Sequence, residues 1–248
     1  MKLHINILLI LSLLLLLGAG RKRLEIPISH QGGQIIEHCG YVLSYIEDHE
    51  QAEWAAYELT SKELKGKEKR TDDFRPDPAI KTGSAEPSDY MASGYDLGHL
   101  VPAADMKWSK EAMSETFFLS NMSPQEPGFN RGIWKRLEDA VRKWAKADKR
   151  LYVATGPVLQ KGLPAIGPNK VSVPKLYYKV ILDYVRPEIK AIGFVMPNKP
   201  SKAGVMEYAV TVDSVEALTG IDFFPALPDS VEKAVEKAAD RERWPGVR

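Results

Sequence analysis

From Asn130 onward the apolar residues change their spacing, and that change constrains the fold more than any bulk property. Ile133, Trp134, Leu137, Ala140, Val141, Trp144 and Ala145 recur at helical intervals, which places one amphipathic helix with its apolar stripe on a core. Elsewhere the apolar runs are short and rich in β-branched and aromatic residues: 41–46 and 54–59 ahead of the helix, then 151–155, 177–182, 191–196 and 208–212 behind it. Runs of that kind read as strands, and His49-Glu50-Gln51 reads as the turn between the first two. Asp213 with Glu216, and Asp229 with Glu232, have capping-box-like spacing. They are expected to begin helices over about residues 214–219 and 230–239. Strands and helices mix without regular β-α alternation, so the fold class is α+β and not a doubly wound sheet.

The chain has 248 residues, 44% of them apolar, the length of one domain. A domain of this size buries roughly three quarters of the surface its unfolded chain exposes. The single cysteine, Cys39, excludes an internal disulfide framework and a Cys-rich zinc site, so a hydrophobic core must hold the fold. Cys39 itself is expected to be a small buried thiol, with a bridge in a homodimer as the alternative. The start of the chain reads differently. After Lys2 an apolar run over residues 5–17 is broken only by Asn6 and Ser12, and Gly18-Ala19-Gly20 precedes Arg21-Lys22-Arg23. A basic start, a short apolar stretch and small residues fit a secretory signal peptide, the alternative being an uncleaved membrane anchor through residues 5–17. The chain is therefore expected to be exported, to a periplasm or the exterior. The expected layout is a leader or anchor at 1–20, an N-terminal extension at 21–40 and a single domain at 40–248.

Charge discriminates little, with 34 basic against 33 acidic residues. Losing residues 1–20 removes Lys2 and no acid, which leaves a neutral body. Basic residues cluster locally, at Lys62 to Arg70, at Arg131, Lys135 and Arg136, and at Arg142 to Arg150; each cluster alone reads as a solvated face. Residues 61–93 are polar and dotted with Pro76, Pro78, Gly83 and Pro87, a long loop of the kind that usually serves function. Behind it lies His99, the only histidine in the central and C-terminal parts of the chain. Asp96 stands three residues before it, and Asn121, Gln125, Asn130 and Glu138 follow within 40 residues. One imidazole among amides and carboxylates suits a hard divalent ion such as Mg²⁺ that keeps several waters, with the histidine outside its shell. It does not suit structural zinc.

Three ordered segments carry a family likeness: Tyr95-Asp96-Leu97-Gly98-His99-Leu100-Val101-Pro102, then Asn121-Met122-Ser123-Pro124-Gln125, then Asn130-Arg131-Gly132-Ile133-Trp134-Lys135-Arg136-Leu137-Glu138. Together they resemble the D-R-G-H, N-x-x-P-Q and N-x-x-x-W-x-x-L-E pattern of the DNA/RNA non-specific endonucleases, and the likeness runs over roughly residues 40–236. The resemblance implies the ββα-metal, or His-Me finger, fold, with a mixed, mostly antiparallel sheet and flanking helices. It implies hydrolysis of DNA and RNA phosphodiesters with Mg²⁺, Mn²⁺ serving as substitute. In that scheme His99 is the general base, with an unperturbed pKa near 6.5, and Asn130 is the direct metal ligand. Glu138 holds metal-bound waters; on one straight α-helix eight residues of rise would set it about 12 Å from Asn130, so the two would communicate through water and the hydrated ion. Arg70 stabilises the transition state, with Arg75 as the alternative. Asp96, Asn121 and Gln125 support the site, and Arg131 and Lys135 meet substrate phosphates. One departure is Leu97, where the family usually carries arginine. It leaves a second reading, a catalytically weak nucleic-acid-binding module of the same fold.

Overall fold

The computed structural model describes residues 22–246. The expected leader or anchor, with its apolar run at 5–17, lies outside the described residues. In chain order the elements are β1 (Ile28–Ser29), β2 (Gln34–Glu37), β3 (Val42–Ile46), β4 (Gln51–Thr60), α1 (Pro87–Tyr90), β5 (Asp96–His99), α2 (Lys110–Glu115), β6 (Met122–Gln125) and α3 (Lys135–Asp148). Then follow β7 (Arg150–Pro157), β8 (Ala165–Ile166), β9 (Val171–Ser172), β10 (Leu176–Asp183), β11 (Lys190–Pro197), β12 (Ala209–Val210), α4 (Val212–Thr219), β13 (Ile221–Asp222) and α5 (Asp229–Glu236).

A seven-stranded sheet in the order β12-β11-β10-β7-β4-β3-β2 forms the frame, and its neighbours pair antiparallel throughout. Both faces are covered, and the two-residue period of a strand sorts the side chains between them. Ala55, Tyr57 and Leu59 of β4 and Leu151 and Val153 of β7 pack with Trp134, Leu137, Val141 and Trp144 of the helical segment. Their sequence neighbours Trp54, Ala56, Tyr152 and Ala154 face the other way, toward Val212, Val215 and Val235 of α4 and α5. The central strands therefore read as nearly continuous apolar runs, because neither face meets water. The α+β expectation holds.

Residues ahead of β3 are woven into this frame. β2 is an edge strand of the main sheet, β1 pairs with β13, and Leu24 is buried in the core beneath α4 and α5. Several local expectations change. The apolar run at 208–212 pairs only through Ala209 and Val210. The chain turns helical at Val212 because the Thr211 hydroxyl accepts the Ser214 N–H and caps the helix. Asp213 consequently lies inside the first turn, where an acid favours the helix dipole, and is not the cap. Asp229 likewise falls within the first turn of α5, after Pro228, with no side-chain cap. Cys39, expected to be buried, is exposed in the turn between β2 and β3. Its backbone N–H donates to the Glu115 carboxylate at 2.5 Å.

Candidate active site

Outside the main sheet, β5 and β6 form a two-stranded ribbon in which Asp96 opposes Gln125, Leu97 opposes Pro124, Gly98 opposes Ser123 and His99 opposes Met122. The two sequence motifs thus face each other across one ladder. Gly98 makes room for a side chain of the partner strand: a Cβ there would lie 2.2 Å from Cδ of Gln125. Leu97 and His99, two residues apart on one strand, both line a cleft of about 310 Å³ that they share with Arg70, Asn130, Arg131, Lys135, Glu138 and Arg142.

The His99 ring is held edge-on by Phe117, with centroids 5.0 Å apart at 87°, and Phe74 lies 6.0 Å away. Its Nε2 is buried without a hydrogen-bond partner. Nδ1 is left as the nitrogen that can meet a molecule in the cleft. Burial, and after it the Arg70 guanidinium, lower the His99 pKa to about 3, well below the ordinary value expected from sequence. The imidazole is neutral throughout the ordinary pH range.

Arg70 enters the cleft from the long loop. Its guanidinium carbon sits 4.7 Å above the Phe117 ring, and Nε donates to Asp72. Arg75 does other work. Its Nη1 donates to Asp73 and to the Ser114 carbonyl, its Nη2 donates to the Ser114 hydroxyl, and the guanidinium stacks on Phe118 at 4.0 Å. Of the two arginines, Arg70 is the one that lines the cleft.

Asn130 belongs to a wide π-type turn, Phe129–Trp134, which leads into α3 and loses helical geometry at Gly132. The straight-helix spacing between Asn130 and Glu138 therefore does not apply, and both side chains line one cleft. Asn130 Nδ2 donates to Asp96 Oδ2 at 2.9 Å, and Arg131 grips the same carboxylate through Nε at 2.8 Å and Nη2 at 2.6 Å. The carboxylate can only accept, so it fixes the amide nitrogen and leaves Asn130 Oδ1 as a free acceptor. Arg131 and Lys135 are exposed, and Lys135 pairs with Asp139 at 2.6 Å. Arg136 is turned aside, donating to the Ser201 and Ala203 carbonyls.

Asn121 and Gln125 sit behind the site. The buried Asn121 amide accepts from Val101 N–H and donates to the Val101 and Thr116 carbonyls, which pins the segment just after His99. The buried Gln125 amide packs against Gly98 and has no hydrogen-bond partner.

Two basic residues beneath the cleft escaped the sequence reading. Arg142, grouped there with a solvated face, has a side chain only 15% exposed; it donates to Asp105 at 2.8 Å and Asp139 at 2.6 Å. Its signal was its place one helical turn after Glu138. Lys179 of β10 is completely buried, its ammonium 4.8 Å from the Trp134 ring centroid and without a hydrogen-bond partner. A lone charge within Tyr177-Tyr178-Lys179-Val180-Ile181-Leu182 was the sign that could have found it. Burial raises the Glu138 carboxyl above the carboxylate range, and Lys179 and Arg142 oppose that rise. Burial lowers the Lys179 ammonium, and Glu138 and Asp105 oppose that fall.

A neutral imidazole, an arginine and a free amide oxygen meet around one open cleft. Residues 21–230 match the family of DNA/RNA non-specific endonucleases, and the chain belongs to that family. It is 36% identical over 212 residues to a nuclease of Nostoc sp., a match covering 81% of this chain and 76% of the relative. It is 35% identical over 209 residues to the mitochondrial endonuclease G of Homo sapiens, covering 78% of this chain and 70% of the relative. The fold superposes on a solved EndoG/EndoGI complex with a TM-score of 0.73 at 32% identity, covering 81% of this chain and 88% of the other. The protein is an endonuclease of the ββα-metal type, with the antiparallel sheet and flanking helices that the resemblance implied.

Proposed function

We propose that this chain is an exported, Mg²⁺-dependent, sequence-non-specific endonuclease that hydrolyses DNA and RNA phosphodiesters, with His99 as general base and Asn130 as the direct metal ligand. The observation that carries this reading is the Asp96–Asn130 hydrogen bond, which leaves Asn130 Oδ1 free in the cleft that His99 also lines. The donors there fit a hard ion: an amide oxygen and the Glu138 carboxylate, which suit Mg²⁺ or Mn²⁺ better than zinc. When bound, the ion would neutralise charge developing on the phosphorane and the leaving oxygen.

The chain's own groups supply the rest. With the Nε2 proton buried against the phenyl rings, His99 Nδ1 presents its lone pair and takes the proton of the attacking water. Arg70, fixed over Phe117, offers its guanidinium to the charge on the non-bridging oxygens. Glu138 orders water around the ion, while Arg142 and Lys179 temper its buried charge. Arg131 and Lys135 meet flanking phosphates, and phosphate contacts carry no base information. Export rests on the signal-like pattern of residues 1–20.

Plasmid nicking and RNA cleavage, with and without Mg²⁺ and EDTA, test the assignment. His99→Ala is expected to lower the rate by roughly 10² or more while the Mg²⁺ requirement stays unchanged. Asn130→Ala is expected to lower activity and leave a remainder that demands more Mg²⁺. Near-parental cleavage by a folded His99→Ala variant would overturn the base assignment, and robust cleavage in excess EDTA would overturn the metal.

A further inference from the structure

On the sheet face away from the cleft, five carboxylates gather where α4, β13 and α5 meet. Oxygens of Asp213, Glu216 and Glu236 all lie within 4.8 Å of one another, and so do those of Asp222, Glu232 and Glu236. Glu236 belongs to both groups. It is only 6% exposed, and its Oε1 is buried with no hydrogen-bond partner. Glu216 is held in place by the Phe223 N–H, which donates to it at 2.8 Å. Among the described residues none of the five forms an ion pair. Burial and the surrounding carboxylates raise the Glu236 carboxyl to about 8. A buried, unpartnered carboxylate aimed at four others is costly without a cation.

We propose that Asp213, Glu216, Asp222, Glu232 and Glu236 form a structural Ca²⁺ site that is independent of the catalytic ion. The ligand set is oxygen only, and carboxylate-rich. Ca²⁺ takes 6–8 oxygens at about 2.3–2.6 Å with flexible geometry, so oxygens on opposite sides of it stand about 5 Å apart and adjacent ones closer, which oxygens lying within 4.8 Å of one another can meet. Mg²⁺ demands a smaller octahedron and keeps its waters, and Zn²⁺ prefers nitrogen and sulfur. An ion here ties α4 to α5 and fixes β13, whose partner is β1. It thereby closes the N-terminal segment onto the frame, far from the chemistry.

The test uses the full chain stripped with chelator, Ca²⁺ alone as the probe, and thermal unfolding with calorimetric titration as readouts. Ca²⁺ is expected to bind saturably and raise the Tm, and the same concentration of Mg²⁺ to raise it less. Asn130→Ala, which removes the proposed cleft ligand, is expected to keep the Ca²⁺ response. Glu236→Gln is expected to weaken Ca²⁺ binding by about tenfold or more and to be at least as stable as the parent in chelator, since it relieves repulsion. If Glu236→Gln failed to fold, the double variant Asp222→Asn with Glu232→Gln, on the more exposed side, carries the same comparison. No rise in Tm at millimolar Ca²⁺, an equal response in the acid-to-amide variant, or loss of the response in Asn130→Ala would overturn the site.

Discussion

Lys179 shows how much one buried charge can decide. Strand alternation places it on the same face as Tyr177 and Ile181, beneath the helical segment, and there its ammonium lies 4.8 Å from the Trp134 ring centroid. The charges around it come from several elements: Glu138 and Arg142 from α3, and Asp105 from the segment after β5. Asp105 also accepts from Tyr57 Oη of β4 at 2.8 Å. Lys179 attracts the Glu138 carboxylate and so holds its pKa down against burial. Removing that charge must raise the Glu138 pKa, and an activity that requires ionised Glu138 then loses its acid side at higher pH. Lys179→Met, which keeps the stem and deletes the charge, is expected to move the acid limb of the kcat/KM profile to higher pH. Lys179→Arg is expected to restore it in part. A purely structural lysine would change the Tm and leave the limb in place. His99 should not set that limb, because its own titration lies near 3.

At the level of elements, the site is a ribbon and a broken helix joined by one carboxylate. Asp96 on β5 orients Asn130 on the π-type turn and clamps Arg131 beside it. Outer partners that orient a ligand typically change metal affinity by about 10–100-fold. Asp96→Ala is therefore expected to raise the Mg²⁺ concentration for half-maximal cleavage within that range and to restore much of the rate at saturating Mg²⁺. An unchanged Mg²⁺ titration would show that Asn130 needs no such anchor. The ordered motifs made the ribbon legible in the sequence, since Gly98 and Gln125 belong to motifs that turned out to oppose each other. The break at Gly132 was not legible. Apolar spacing locates a helical face but does not distinguish a regular turn from a wider one, and the about 12 Å separation drawn from a straight helix assumed the regular one. Arg142 was missed because a basic residue near other basic residues looks solvated until its acidic partners, Asp105 and Asp139, are brought to it by the fold.

For the whole molecule, the sheet separates two tasks: the face under α3 carries the cleft, and the face under α4 and α5 carries a second core and the acidic cluster. Apolar period exposed the strands of this frame, yet it could not show that residues beyond α5 complete the first core. From Asp240 on, the only large apolar side chains in the tail are Trp244 and Val247, and the family match ends at residue 230. Trp244 is nevertheless 2% exposed and packs edge-on against Trp144 of α3, with centroids 5.0 Å apart at 67°. Trp144 Nε1 donates to the Pro245 carbonyl at 2.9 Å, and Lys190 Nζ lies 4.8 Å from the Trp244 ring centroid while donating to the Arg243 carbonyl. The C-terminal segment thus fastens α3 to β11 at the end away from Asn130. Truncating a buried tryptophan to alanine costs about 3–5 kcal/mol, a large share of the about 5–15 kcal/mol that holds a typical domain together. Trp244→Ala is expected to lower the unfolding free energy from urea titration by that amount, with a lower midpoint, while kcat/KM and the Mg²⁺ requirement, measured well below the transition, stay near the parental values. A loss of activity in the still-folded variant, with the midpoint unmoved, would mean that the tail acts on the cleft and not on the frame.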